Sequence, residues 1–140
     1  MLRFTYPRRV AFYETDLAKV VHHATYLKYL EEARVDWMRQ NDLLHLHAPE
    51  GKIVLAVLET QVQHLLPAYF NDVLRVELQV RLERSKIRFR YVVYSDRFQE
   101  KPIALGETLH FPLNESFKPT RLPEALWERL EKEIWTEIWP

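Results

Sequence analysis

The sequence predicts an α+β fold, in which one long amphipathic helix packs against an antiparallel sheet of about five strands. Three observations carry this expectation. Residues 24–40, ATYLKYLEEARVDWMRQ, put Tyr26, Leu30, Ala33 and Trp37 at helical spacing, with Glu31, Glu32, Arg34 and Asp36 among the other positions. Residues 73–82 change to a period of two: Leu74, Val76, Leu78, Val80 and Leu82 share one face, and Arg75, Glu77, Gln79 and Arg81 the other. The alternation resumes at once with Ile87, Phe89, Tyr91 and Val93, so the short link 83–86 reads as a hairpin turn.

The remaining elements follow in order. Residues 3–13 are rich in aromatic and β-branched types and read as a first strand, which 14–23 interrupts with charge and histidine. After the helix comes a loop, 41–52, with Pro49 and Gly51, and then a strand at 53–64. Residues 67–72 separate that strand from the hairpin, and 102–113 form a fifth strand. Pro123 opens a short last helix running to about Ile134, with Leu126, Leu130 and Ile134 on one side. A single long helix covers only one face of such a sheet, so the other face meets solvent or a partner, and self-association is expected.

Composition narrows the function. A chain of 140 residues suits one domain, 1–140, with a core that needs no disulfides. The hydrophobic share of 47% and charged share of 29% are those of a globular protein, and the formal net charge of zero argues against a nucleic-acid partner. Zero cysteines exclude disulfides, thiolate catalysis and cysteine metal ligands. No apolar run has the length of a leader or a membrane span, which leads to the expectation of a cytoplasmic protein.

The most informative stretch is 12–34, FYETDLAKVVHHATYLKYLEEAR. A strand leads to Asp16, then to the valine pair Val20 and Val21, then to His23 and Tyr26, and a helix follows that carries Glu31, Ala33 and Arg34. This pattern resembles the opening of the 4-hydroxybenzoyl-CoA thioesterase family, most closely its YbgC-like branch. The resemblance implies a hotdog fold, a sheet wrapped around the long helix. It also implies acyl-CoA thioester hydrolysis with no required cofactor, CoA being part of the substrate. It implies a homodimer or homotetramer with the active site between two subunits. The chain departs from the family in two places: Lys19 stands where glycine is usual, and His22 where an aromatic is usual. Glycine eases a tight turn, so Lys19 is expected to signal an altered loop.

Thioester hydrolysis needs a carboxylate nucleophile or a base that orients water. An aspartate just ahead of a helix ordinarily reads as a cap; the resemblance assigns Asp16 the catalytic role. His23 either orients Asp16 or the substrate or serves as a structural histidine. Backbone amides where the helix begins at Ala24 would hold the oxyanion, with Val21 and Tyr26 at the substrate. Arg84, Ser85 and Lys86, at the hairpin turn, are the expected contacts for CoA phosphates, while Arg88 and Arg90 suit a solvated charged face equally well. Glu31 and Arg34 have the spacing of a helical ion pair. A zinc site built from His22, His23, Asp16 and Glu50 is a minor alternative, because neighbouring side chains on extended backbone point apart. Two other functions fit the same residues: a hotdog hydratase or dehydratase using His23 with Asp16, or a non-catalytic acyl-CoA-binding module.

Overall fold

The computed structural model describes residues 3–140; the expectation about a leader also touches residues 1–2, which lie outside the described part. Five strands, β1 (Phe4–Arg9), β2 (Val54–His64), β3 (Val73–Glu83), β4 (Lys86–Ser95) and β5 (Pro102–Leu113), form one sheet in the order β1-β3-β4-β5-β2. All pairings are antiparallel. The long helix α1 (Thr25–Gln40) joins β1 to β2 and lies against one face, and α2 (Glu124–Lys132) follows the sheet. This is the hotdog arrangement.

The two sequence periods meet in the core. From α1, Tyr26, Tyr29, Leu30, Ala33 and Trp37 are buried against Leu74, Val76, Leu78 and Val80 of β3 and Ile87, Phe89, Tyr91 and Val93 of β4. Each buried valine, leucine, isoleucine or phenylalanine among them contributes about 1.5–3 kcal/mol. The Trp37 ring stands edge-on to Phe89 at 5.6 Å between centroids. On β5, a Cβ at Gly106 would lie 2.7 Å from Leu30 Cδ1, so glycine here lets helix and sheet close together.

Two boundaries differ from expectation, each for a visible reason. The first strand ends at Arg9 rather than Tyr13, because Val10 turns to bond Asp72 and residues Phe12–Glu14 form a 3-10 turn. The last helix ends at Lys132, and Ile134 is exposed rather than on its buried side. Glu133 leaves the helix to accept hydrogen bonds from Trp37 Nε1 at 3.1 Å and Arg129 Nε at 3.0 Å.

Beyond Lys132 the chain crosses the outer face of the sheet. Trp135 stacks on the guanidinium groups of Arg81 (4.1 Å) and Arg90 (3.8 Å), and Trp139 on those of Arg90 (4.4 Å) and Arg3 (4.5 Å). Arg90 Nη2 donates to the Thr136 carbonyl at 2.5 Å and to Gln79 Oε1. Arg90 is therefore buried beneath the chain's own end, whereas Arg88 pairs with Glu83 and Glu107. The β2 edge stays open, with Val57 and Leu58 half exposed at a bulge.

Inside the fold a polar chain runs from Arg34 Nη1 to Tyr91 Oη (3.2 Å), on to Thr108 Oγ1 (2.6 Å), and on to His110 Nε2 (2.8 Å). His110 is fully buried, and its Nδ1 has no hydrogen-bond partner among the described residues. Burial, helped by the Arg34 charge, holds the imidazole pKa down to about 3. Folded, the ring stays neutral; unfolded, it takes up a proton near pH 6.5. The unfolded state thus binds the extra proton between pH 6.5 and 3, and stability falls with pH across that window by up to about 1.4 kcal/mol per unit. Urea midpoints at pH 7.5 and pH 5 are expected to show this decline, and His110→Phe to flatten it; an equal decline in the variant would assign the effect to other groups.

Candidate active site

The segment between the 3-10 turn and α1 builds the site. Isolated bridges pair Thr15 with Val21 and Val20 with Tyr69, and the Val21 N–H donates to the Ala68 carbonyl at 2.8 Å. Between them a tight turn carries Asp16. Its N–H donates to Val20 O (2.9 Å), its carbonyl accepts from Lys19 N–H (2.9 Å), and its Oδ1 accepts from Ala18 N–H (2.8 Å). Asp16 is exposed, so its carboxylate is open to a ligand.

Lys19, which stands where glycine is usual in the family the chain resembles, adopts the left-handed conformation that glycine favours, at φ 67°. That conformation strains an L-residue by roughly 1 kcal/mol. Lys19→Gly is expected to raise stability by about 0.5–1 kcal/mol, read as a higher urea midpoint. An unchanged midpoint would mean that the turn stores no strain.

Asp16, Val21, His23 and Tyr26 line one open cleft of about 330 Å³, bordered also by His64 and Leu65 at the end of β2. The Tyr26 ring stands edge-on to His64 at 4.9 Å. Burial raises the Tyr26 pKa against an opposing hydrogen bond from the Ala68 backbone, so the phenol is neutral.

The histidine pair departs from expectation. The chain bends at His23, and the two imidazoles stack at 4.3 Å instead of pointing apart. His22 acts inward: its N–H donates to the Glu14 carbonyl (3.0 Å), and its Nδ1 accepts from Ala24 N–H (3.1 Å). The Ala24 amide is thus already engaged by the His22 ring. Glu50 is exposed in the loop that follows Leu46, away from this cleft. Among the described residues no group of three or more His, Cys, Asp or Glu side chains converges as a metal site would require.

Sequence reasoning missed Glu14. It is buried, and its carboxylate collects four donors: Ala11 N–H at 2.8 Å, Tyr29 Oη at 2.8 Å, Arg8 Nη1 at 3.0 Å and Arg8 Nη2 at 2.6 Å. Burial works to raise its pKa, but the bonds from Ala11, Tyr29 and Arg8 outweigh it and hold the carboxyl below the usual range. Arg8 continues to Glu32 on α1, Nε to Oε1 at 2.8 Å, and Tyr6 Oη donates to the same oxygen at 3.0 Å. The only sequence signal was a set of unlike charges separated by 6 and 24 positions. Glu31 lies 3.9 Å from Arg34, the expected helical pair in its weakest form.

The structure does not bring Arg84, Ser85 and Lys86 to the cleft. They form the β3–β4 turn, with Arg84 at φ 59°. Arg84 and Ser85 border a separate pocket of about 540 Å³ with Arg121, Leu122 and Trp127. The Asp16 loop sits by the start of β3 and this turn by its end; 11 residues of strand put them roughly 35 Å apart. Among the described residues no helix is long and apolar enough to cross a membrane.

Residues 10–130 match the model of the thioesterase-like superfamily. The chain is 34% identical over 111 residues to a 1,4-dihydroxy-2-naphthoyl-CoA hydrolase of Thermosynechococcus vestitus, covering 77% of this chain and 74% of that one. It is 28% identical over 109 residues to the acyl-CoA thioesterase YbgC of Haemophilus influenzae, covering 74% of each. The crystal structure of a 1,4-dihydroxy-2-naphthoyl-CoA thioesterase from Synechocystis superposes with a TM-score of 0.84 over 94% of this chain and 97% of that one, at 23% identity. Sequence match and shared architecture agree: the chain belongs to the thioesterase-like superfamily.

Proposed function

We propose that the protein hydrolyses an acyl-CoA thioester to the free acid and CoA, with Asp16 as its catalytic carboxylate. The observation that carries this reading is Asp16 itself, exposed in a cleft at the head of α1 beside His23 and Tyr26. The carboxylate attacks the thioester carbonyl or takes the proton of a water that does. Either way the C–S bond breaks, the CoA sulfur leaves and gains a proton, and one water is consumed. Amides at the start of α1, aided by its dipole, stabilise the oxyanion. No cofactor enters, and zinc has no part. We place the reaction in the cytoplasm.

The working unit is a homo-oligomer, at least a dimer. Arg84, Ser85 and Lys86 lie too far from Asp16 for one CoA to touch both within one chain, so the phosphate contacts come from a second copy. The open β2 edge, whose last residues border the cleft, offers the surface for that copy.

Release of free thiol from a panel of acyl-CoAs, with and without chelator, tests the proposal. Chelator-resistant hydrolysis of at least one acyl-CoA supports it. Activity lost on chelation would restore a metal at His22 and His23. Because His23 shares the cleft with Asp16, a hydratase remains the rival: water added to an enoyl-CoA without thiol release would select it. Tight CoA binding without turnover would leave a binding module.

A further inference from the structure

We infer that Glu14 is the positioning residue of this active site, holding the Asp16 turn in register with the start of α1. The inference rests on the catalytic role proposed for Asp16. The carboxylate that does the chemistry is poorly anchored: Asp16 is exposed, and among the described residues its one side-chain bond is to Ala18 N–H, inside its own turn. A reacting group displaced by about 1 Å can lose roughly 10²-fold in rate. Something outside the turn therefore has to set its place.

Glu14 has the required connections on both sides. Through Arg8 it is tied to β1, through Tyr29 to the second turn of α1, and through Ala11 to its own 3-10 turn. Its backbone carbonyl takes the N–H of His22, the residue at the far end of the Asp16 turn. Both ends of the catalytic turn thus close on one residue. Arg8 extends the frame to Glu32 on the next turn of α1 and stacks 5.0 Å over the Tyr29 ring, which leaves Arg8 little freedom to follow a displaced carboxylate. The arrangement resembles a bolt through strand, turn and helix, with the catalytic group overhanging on one side.

The test is a double-substitution cycle between positions 14 and 16, read in acyl-CoA hydrolysis well below each variant's melting temperature. Glu14→Gln is expected to lower kcat by about 10²-fold while KM stays within about threefold, because the substrate-binding surfaces are untouched. Tyr29→Phe removes a single donor, keeps the charge pair and is expected to fold; a smaller fall in kcat, roughly fivefold to tenfold, should follow. In the Asp16→Asn background, Glu14→Gln is expected to cause no further loss, since a positioning residue has nothing left to position. A multiplicative loss in that background would overturn the inference, as would wild-type kcat in both Glu14→Gln and Tyr29→Phe. Full activity of Asp16→Asn alone would instead remove the proposed function, so the two failures are distinguishable.

Discussion

Asp16→Asn is expected to lower kcat for acyl-CoA hydrolysis by about 10³-fold or more, with KM within about threefold of wild type. The amide keeps the size of the carboxylate, and its oxygen can still accept the Ala18 N–H, so the turn survives. What it loses is the capacity to attack a carbonyl or to hold a water proton. The cleft walls, Val21, Tyr26 and His64, are unchanged, which is why binding should persist. Equal amounts of thiol released by variant and wild type would end the assignment of Asp16. The same variant tests the shared site. An Asp16→Asn chain co-assembled with an Arg84→Ala chain is expected to regain up to half of the wild-type activity per active site. One of the two active sites in the mixed dimer then combines an intact Asp16 with an intact Arg84. No recovery on mixing would confine the site to one chain.

The largest expected loss of stability is at Trp37. Trp37→Ala should destabilise the protein by about 3–5 kcal/mol and lower Tm by roughly 10–15 °C. Trp37 is 2% exposed and contributes twice. Its ring fills the space between α1 and Phe89, and its Nε1 holds Glu133, the residue that ends α2. Truncation leaves a cavity at the sheet and also frees the segment that starts the crossing of the outer face. Trp37→Phe keeps most of the packing and loses the Glu133 bond; a melting temperature close to wild type there would assign most of the effect to the cavity.

What the sequence revealed follows from the range over which each interaction acts. The stripe of Tyr26, Leu30, Ala33 and Trp37 and the alternation from Leu74 to Leu82 are local patterns, and both are buried as expected. The order of elements followed from them. The buried Glu14 was not legible, because its environment is made by Arg8 and Tyr29 from other elements. Nor was the burial of Arg90, which depends on Trp135 and Trp139 some 45 positions away in a segment without periodicity. Asp16, Val21, His23 and Tyr26 fall within a few residues of one another at a helix start, so their meeting in one cleft was foreseeable. Arg84 was foreseeable as a turn residue, but its separation from Asp16 is a property of strand length and sheet order.

The stacking of Trp139 on Arg3 has a topological consequence. The two ends of the described chain meet on the outer face, where Trp139 also borders Thr60 and Gln63 of β2. A few glycine and serine residues would bridge them, and the exposed loop between α1 and β2 offers a place to open new ends. In a chain permuted in this way, the strand that now begins the fold would follow the final tryptophan directly. The hotdog would then be read in a different order around the same ring of elements.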